Sequence, residues 1–211
     1  MAKQVNETVR DRINRELFIP LAQFFVNDDT ELGELERAIL ISDKPNIRNS
    51  DFVPNSKQVS SFVGFVLEYY VKNVLRLFGS TKEDFHEVFP DGTIRGGTDY
   101  FTDKYGNIHF RRGTNEITEI DSLWMFNDLE LNIPIIFEIK YMRRIIGKSS
   151  VKLRFINEIY GVYPIYCHVR PVADSEEIPG FYGIYSNHYK KILIPKQGFH
   201  KIAKHILVGH T

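Results

Sequence analysis

Three side chains in this sequence have the types and spacing for metal-assisted phosphodiester hydrolysis: Asp121, Glu138 and Lys140. They lie in two apolar, β-prone runs, Ile117 to Trp124 and Ile133 to Lys140, separated by the polar turn residues Asn127 and Asp128. Side chains two apart on a strand project to the same face. Glu138 and Lys140 therefore emerge side by side, flanked by Phe137 and Ile139. Pairing of the two runs would bring Asp121 to them. Two carboxylates hold a hard divalent cation through oxygen, and such a cation activates water. An ammonium beside them stabilises phosphate charge or orients the attacking water. The three tips must share one side of the sheet; Asp121 on the side opposite Glu138 and Lys140 would exclude this chemistry.

The pattern of an Asp, a spacer and then Glu-x-Lys resembles the PD-(D/E)XK nuclease superfamily, residue by residue at Asp121, Glu138 and Lys140. Ile120 stands where that family often has proline. The resemblance covers roughly residues 56–170. It implies a restriction-endonuclease-like fold and a Mg²⁺ site that Mn²⁺ can also fill. It further implies that Asp121, Glu138 and the carbonyl of Ile139 hold the metal, with Lys140 at the attacking water.

A long helix must precede the motif. From Ser56 to Phe78 the apolar residues Val59, Phe62, Val63, Val66, Tyr70, Val74 and Leu77 recur at three- and four-residue steps, the period of an amphipathic helix. Ser56 or Asn55 is its N-cap, and Gly79-Ser80 ends it. Gly64 and Glu68 are four apart and share a face. Nucleases of the superfamily often carry a metal-binding Glu on this helix, so the resemblance gives Glu68 that role, directly, through water or at a second ion. The plain alternative is a solvated surface glutamate.

The chain has no net charge, but the charge is divided unevenly. Residues 1–138 carry 15 basic and 23 acidic side chains, and residues 139–211 carry 12 basic and 4 acidic. Five of the seven histidines also fall in the second part. Such asymmetry suggests an anionic partner for the basic part. Arg143, Arg144, Lys148, Lys152 and Arg154 follow the Glu-x-Lys run and are candidates for a DNA phosphate track. The alternative is a basic helix face in solvent.

The 211 residues, 43% of them apolar, suffice for one sizeable core. The expected organisation is an N-terminal helical extension over 1–55 and a nuclease-like domain over 56–211, forming a single compact unit. The single cysteine, Cys167, excludes an intramolecular disulfide and a cysteine cluster; its apolar neighbours mark it as a buried small hydrophobe. No apolar stretch reaches membrane-spanning length, and the N-terminus lacks a signal-peptide pattern. These features predict a soluble, cytoplasmic chain without a membrane partner.

The remaining elements follow from pattern. Gln4 to Phe25 reads as an amphipathic helix interrupted near Pro20, Asp29 to Ile41 as a second helix, and Asp43 to Asn55 as a linker or ordered loop. Glu83 to Gly97 is turn-rich. Tyr100 to Thr102 and Ile108 to Arg111 flank a hairpin turn. Ser149 to Tyr160 predicts a helix with Val151, Phe155, Ile156 and Ile159 on one face, ended by Gly161. Tyr163 to Val169 suits a buried strand. Phe181 to Ser186 and Lys191 to Pro195 form a late hairpin, and Phe199 to Leu207 a last helix. The fold class is α/β, a central mixed β-sheet flanked by helices. The helix at 149–160 serves as the crossover between parallel strands.

Other charged residues have simpler readings. Glu119, two before Asp121, should face the same way, as a further ligand or as a strand-surface charge. Turn chemistry accounts for Asp99 and Asp103. His200, His205 and His210, five apart, do not share a helix face. Asn157 and Tyr160 only partly match positions that some exonuclease-like members of the superfamily use. The function expected is a Mg²⁺-dependent deoxyribonuclease, an endonuclease leaving 5′-phosphates; duplex cutting at a site would favour a homodimer. Two rivals stand beside it. One is a catalytically inactive DNA-binding or regulatory protein of the same fold. The other is an interaction protein whose charge asymmetry drives self-association.

Overall fold

A computed structural model describes residues 8–27, 56–88, 100–103, 107–127, 132–141, 147–169, 182–186 and 189–194. The expected helices at 29–41 and 199–207, the linker at 43–55, and Asp99, Arg143, Arg144, His200, His205 and His210 lie outside these residues. The described chain is mixed α/β with two sheets. It begins with α1 (Val9–Ile13), a π-helical turn (Asn14–Phe18) and α2 (Ile19–Asn27), followed by the long α3 (Ser56–Ser80). The strands are β1 (Phe85–Glu87), β2 (Tyr100–Thr102), β3 (Ile108–Arg112), β4 (Asn115–Ile120), β5 (Ser122–Asn127) and β6 (Asn132–Lys140). Helix α4 (Gly147–Tyr160) leads to β7 (Tyr163–Val169), β8 (Tyr182–Ser186) and β9 (Tyr189–Ile194).

The larger sheet has the order β1-β5-β6-β7-β9-β8, and β2-β3-β4 form the smaller one. Strands β5 and β6 are antiparallel, whereas β6 and β7 are parallel. A parallel neighbour requires a crossover, and α4 supplies it. Gly161 at φ +64° ends α4, a left-handed conformation that glycine adopts without a Cβ clash. The late hairpin is present as β8–β9, and β9 extends the sheet parallel to β7.

Strand β6 is buried on both faces, as its continuous apolar run requires. Ile133, Ile135, Phe137 and Ile139 join the core under α2 and α3, with Leu17, Leu21, Val66, Tyr70 and Val74. Ile136 turns to a second cluster with Leu153, Ile156, Val162 and Tyr166 on the α4 side. The odd and even positions thus serve opposite layers, which places Glu138 on the α4 side as well. Phe85 stacks on Trp124 with ring centroids 4.7 Å apart, and Gly79 allows the close approach of α3 to both.

Four expectations change. The run from Ile117 to Trp124 is two strands in two sheets, broken by a bend at Asp121. Within the turn-rich stretch, Phe85–Glu87 forms an edge strand antiparallel to β5. On α4, Leu153 and Ile156 are buried, whereas Val151 and Ile159 are 69% and 63% exposed. The helix carries two apolar stripes, and the sheet takes the one centred on Leu153. Near the N-terminus, the helix irregularity is the π-turn at 14–18, which ends just before Pro20 in an unbroken helical run from Val9 to Asn27. Among the described residues, no helix is long and apolar enough to cross a membrane.

Candidate metal centre

The bend at Asp121 builds the site. In the β5–β6 ladder Ser122 opposes Phe137, so an unbroken register would set Ile120 opposite Ile139. The chain leaves for the smaller sheet there, and the Ile139 amide donates to Asp121 Oδ2 instead, at 2.5 Å. The carboxylate thereby replaces a lost ladder acceptor, which a buried N–H requires. Asp121 is held 5% exposed at the seam between the sheets.

Lys140 joins the two acids. Its Nζ lies 3.2 Å from Asp121 Oδ2 and 3.3 Å from Glu138 Oε1. Glu138 is 1% exposed, and its second oxygen, Oε2, accepts a hydrogen bond from Lys152 Nζ on α4. The three motif tips therefore meet on one side of the sheet. Ile139 enters through its N–H, with its side chain in the core.

Electrostatics follow from this crowding. Burial pushes the Glu138 carboxyl up, Asp121 pushes it further, and Lys140 and Lys152 oppose them without prevailing. Burial alone would pull the Lys140 ammonium down, but Asp121, Glu138 and Glu68 outweigh it and hold it above its ordinary range. Burial also raises the Cys167 thiol, with Asp121 adding to the effect, so this cysteine is inert at neutral pH.

Glu68, partly buried on α3, acts on Lys140 and Lys72 through its charge. Among the described residues it does not join Asp121 and Glu138 in a set whose ligand atoms lie within 4.8 Å of one another. Lys72, one turn after Glu68, belongs to the same cluster of charges, although no motif marks it. Burial pulls its ammonium down, against the pull of Asp121, Glu68, Glu87 and Asp103, and its Nζ donates to Asn107 Oδ1 at 3.1 Å. The i to i+4 spacing from Glu68 was the available signal. His168, wholly buried, is the register partner of Lys140 on β7.

The basic residues divide. Lys152 faces the motif rather than solvent. Arg154 is exposed and ion-paired with Glu158 at 2.9 Å, one helical turn on. The side chain of Lys148, like Arg143 and Arg144, falls outside what is described. Glu119 does not follow Asp121: it lies on β4 opposite His109, in the smaller sheet. Asn157 Nδ2 donates to the Val162 carbonyl at 2.9 Å and helps close the end of α4.

Asp121 and Glu138 offer carboxylate oxygens, the donor type that hard cations take. The two buried carboxylates share one cationic nitrogen, that of Lys140. No protein-family model, characterised protein or solved structure matches the chain.

Proposed function

We propose that this chain is a Mg²⁺-dependent deoxyribonuclease of restriction-endonuclease-like fold, acting as an endonuclease that leaves 5′-phosphates. The observation that carries the reading is the meeting of Asp121, Glu138 and Lys140 at a single nitrogen-bridged point. Asp121 and Glu138 would hold Mg²⁺, or Mn²⁺ in its place, with the Ile139 carbonyl, and Glu68 would act directly, through water or at a second ion. When bound, the ion supplies Lewis-acid stabilisation of phosphate charge and lowers the pKa of water. Lys140 then orients the attacking water and balances charge developing on the phosphorus oxygens. Lys152 must yield Glu138 Oε2 for that oxygen to serve the ion, which frees its ammonium for a DNA phosphate. Arg154, with Arg143, Arg144 and Lys148, would continue the phosphate track.

A second reading has its own observation. Two lysines already compensate two buried carboxylates, as in a structural ion-pair network. A catalytically inactive DNA-binding protein of the same fold would keep this network permanently. One assay separates the readings: plasmid, linear duplex, single-stranded and four-way-junction DNA incubated with Mg²⁺, beside the Glu138→Ala protein. Cleavage by the parent and none by the variant supports the nuclease; equal rates reject it. DNA binding that weakens with salt, without cleavage or metal uptake, supports the second reading.

A further inference from the structure

The smaller sheet gathers a second set of ligand-type side chains. Asp103 directly follows β2, His109 lies on β3 and Glu119 on β4. His109 is the register partner of both Phe101 and Glu119, which sets the imidazole directly between its neighbours. Asp103, two beyond Phe101, projects to the same face. One ligand atom from each of Asp103, His109 and Glu119 lies within 4.8 Å of the others, and all three residues are partly buried.

These groups are held in place. Asp103 accepts from the Asn107 amide at 3.0 Å and from Asn107 Nδ2 at 3.1 Å. The His109 ring stacks on Phe101 at 4.4 Å and 5°. Its Nε2 lies 3.5 Å from Asp103 Oδ2, and its Nδ1 lies 3.1 Å from Glu116 Oε2, at ion-pair distance but outside hydrogen-bond alignment. A neutral imidazole has one N–H. In either neutral tautomer one ring nitrogen presents its lone pair toward a carboxylate oxygen, and a cation held there, like a second ring proton, would relieve the repulsion. A carboxylate behind a ligating histidine is the usual outer partner of a metal site.

We propose that Asp103, His109 and Glu119 bind a divalent transition-metal ion of the zinc type, distinct from the centre at Asp121 and Glu138. One imidazole and two carboxylates suit a borderline ion better than Mg²⁺. Ligand distances of about 2.0–2.2 Å place donor atoms roughly 3–4 Å apart, so the side chains need close by only about an ångström. The ion would clasp all three strands and leave coordination positions for water.

Zn²⁺ is the probe. Equilibrium dialysis with metal analysis compares the full-length parent, the Asp121→Asn/Glu138→Gln double variant, Glu119→Gln and His109→Gln. The double variant should retain one Zn²⁺ equivalent, and Glu119→Gln and His109→Gln should each weaken that equivalent at least tenfold. In ¹H–¹⁵N spectra of the imidazoles, Zn²⁺ should move one His109 ring nitrogen to a metal-bound position, in the parent as in the double variant. Unchanged affinity in Glu119→Gln together with an unmoved His109 ring overturns the site. Because Glu119 is only partly buried, its variant and the ring signal decide the matter even if His109→Gln does not fold. Loss of DNA cleavage in the double variant alone leaves this site standing.

Discussion

The Ile139 amide donates to Asp121 Oδ2 at 2.5 Å, so one carboxylate both ends the β5–β6 ladder and supplies a charge to the candidate metal centre. The two duties can be separated by substitution. Asp121→Asn keeps an acceptor for the amide, whereas Asp121→Ala leaves a buried N–H without one, at a cost of about 1–3 kcal/mol. Both variants should lose Mg²⁺-dependent DNA cleavage by roughly 10³-fold or more, on the scale of removing a charge-stabilising group. Chemical denaturation should then rank the parent and Asp121→Asn together, with Asp121→Ala below them. Equal stability of the two variants would mean the carboxylate is not the ladder acceptor.

Glu138 carries a pH signature. Its folded carboxyl is raised above the ordinary glutamate value, by burial first and Asp121 second. In the window between the ordinary and the folded value, the folded state binds more protons than the unfolded state, so stability falls as pH rises. Above that window the ionised side chain is a standing cost. Metal-free Glu138→Gln should therefore melt higher than the parent at pH 7, by roughly 2–4 °C for each 1 kcal/mol relieved. The difference should vanish below about pH 4, where the parent is protonated as well. A variant that melts lower at pH 7 would show that the lysine contacts outweigh burial.

Lys152 competes with a cation for Glu138. Replacing it with Met leaves a buried carboxylate with one fewer donor, and metal-free stability at pH 7 should drop by about 1–3 kcal/mol. Mg²⁺ should then raise the melting temperature of Lys152→Met more than that of the parent, because a ligand that binds only the folded state adds stability in proportion to its affinity. Identical Mg²⁺ responses would place the ion away from Glu138.

Gly79 tests the packing of α3. A Cβ there would lie 3.0 Å from the Phe85 carbonyl oxygen and 3.1 Å from the Trp124 ring. Helix propensity favours alanine by about 1 kcal/mol, but neither neighbour can give way without moving β1 or β5. Gly79→Ala should therefore be destabilising, with overpacking costs of about 1–3 kcal/mol exceeding the propensity gain. Thermal unfolding followed by Trp124 fluorescence reads the change.

Much of the scaffold was legible because its signals are local. Apolar residues at three- and four-residue steps define α3, and a continuous apolar run bounded by turns defines β6 and β7. Glu138 and Lys140 share a face because strand alternation admits no other outcome. Such features depend on backbone period alone, which residue types report directly.

What neighbours decide lay beyond reach of the pattern. From Ile117 to Trp124 every residue but Glu119, Asp121 and Ser122 is at home in a strand, and neither glycine nor proline marks a break, so the bend appears only once two sheets compete for the chain. That bend sends Glu119 to His109 and Asp121 to Ile139, although the two acids are two residues apart. Helix α4 presents two apolar stripes of similar character, and only the shape of the sheet beneath selects Leu153 and Ile156 over Val151 and Ile159. The same docking turns Lys152 from a solvent-facing charge into the partner of Glu138. Periodicity fixes which residues share a face; long-range packing selects which face is buried and which charges meet there.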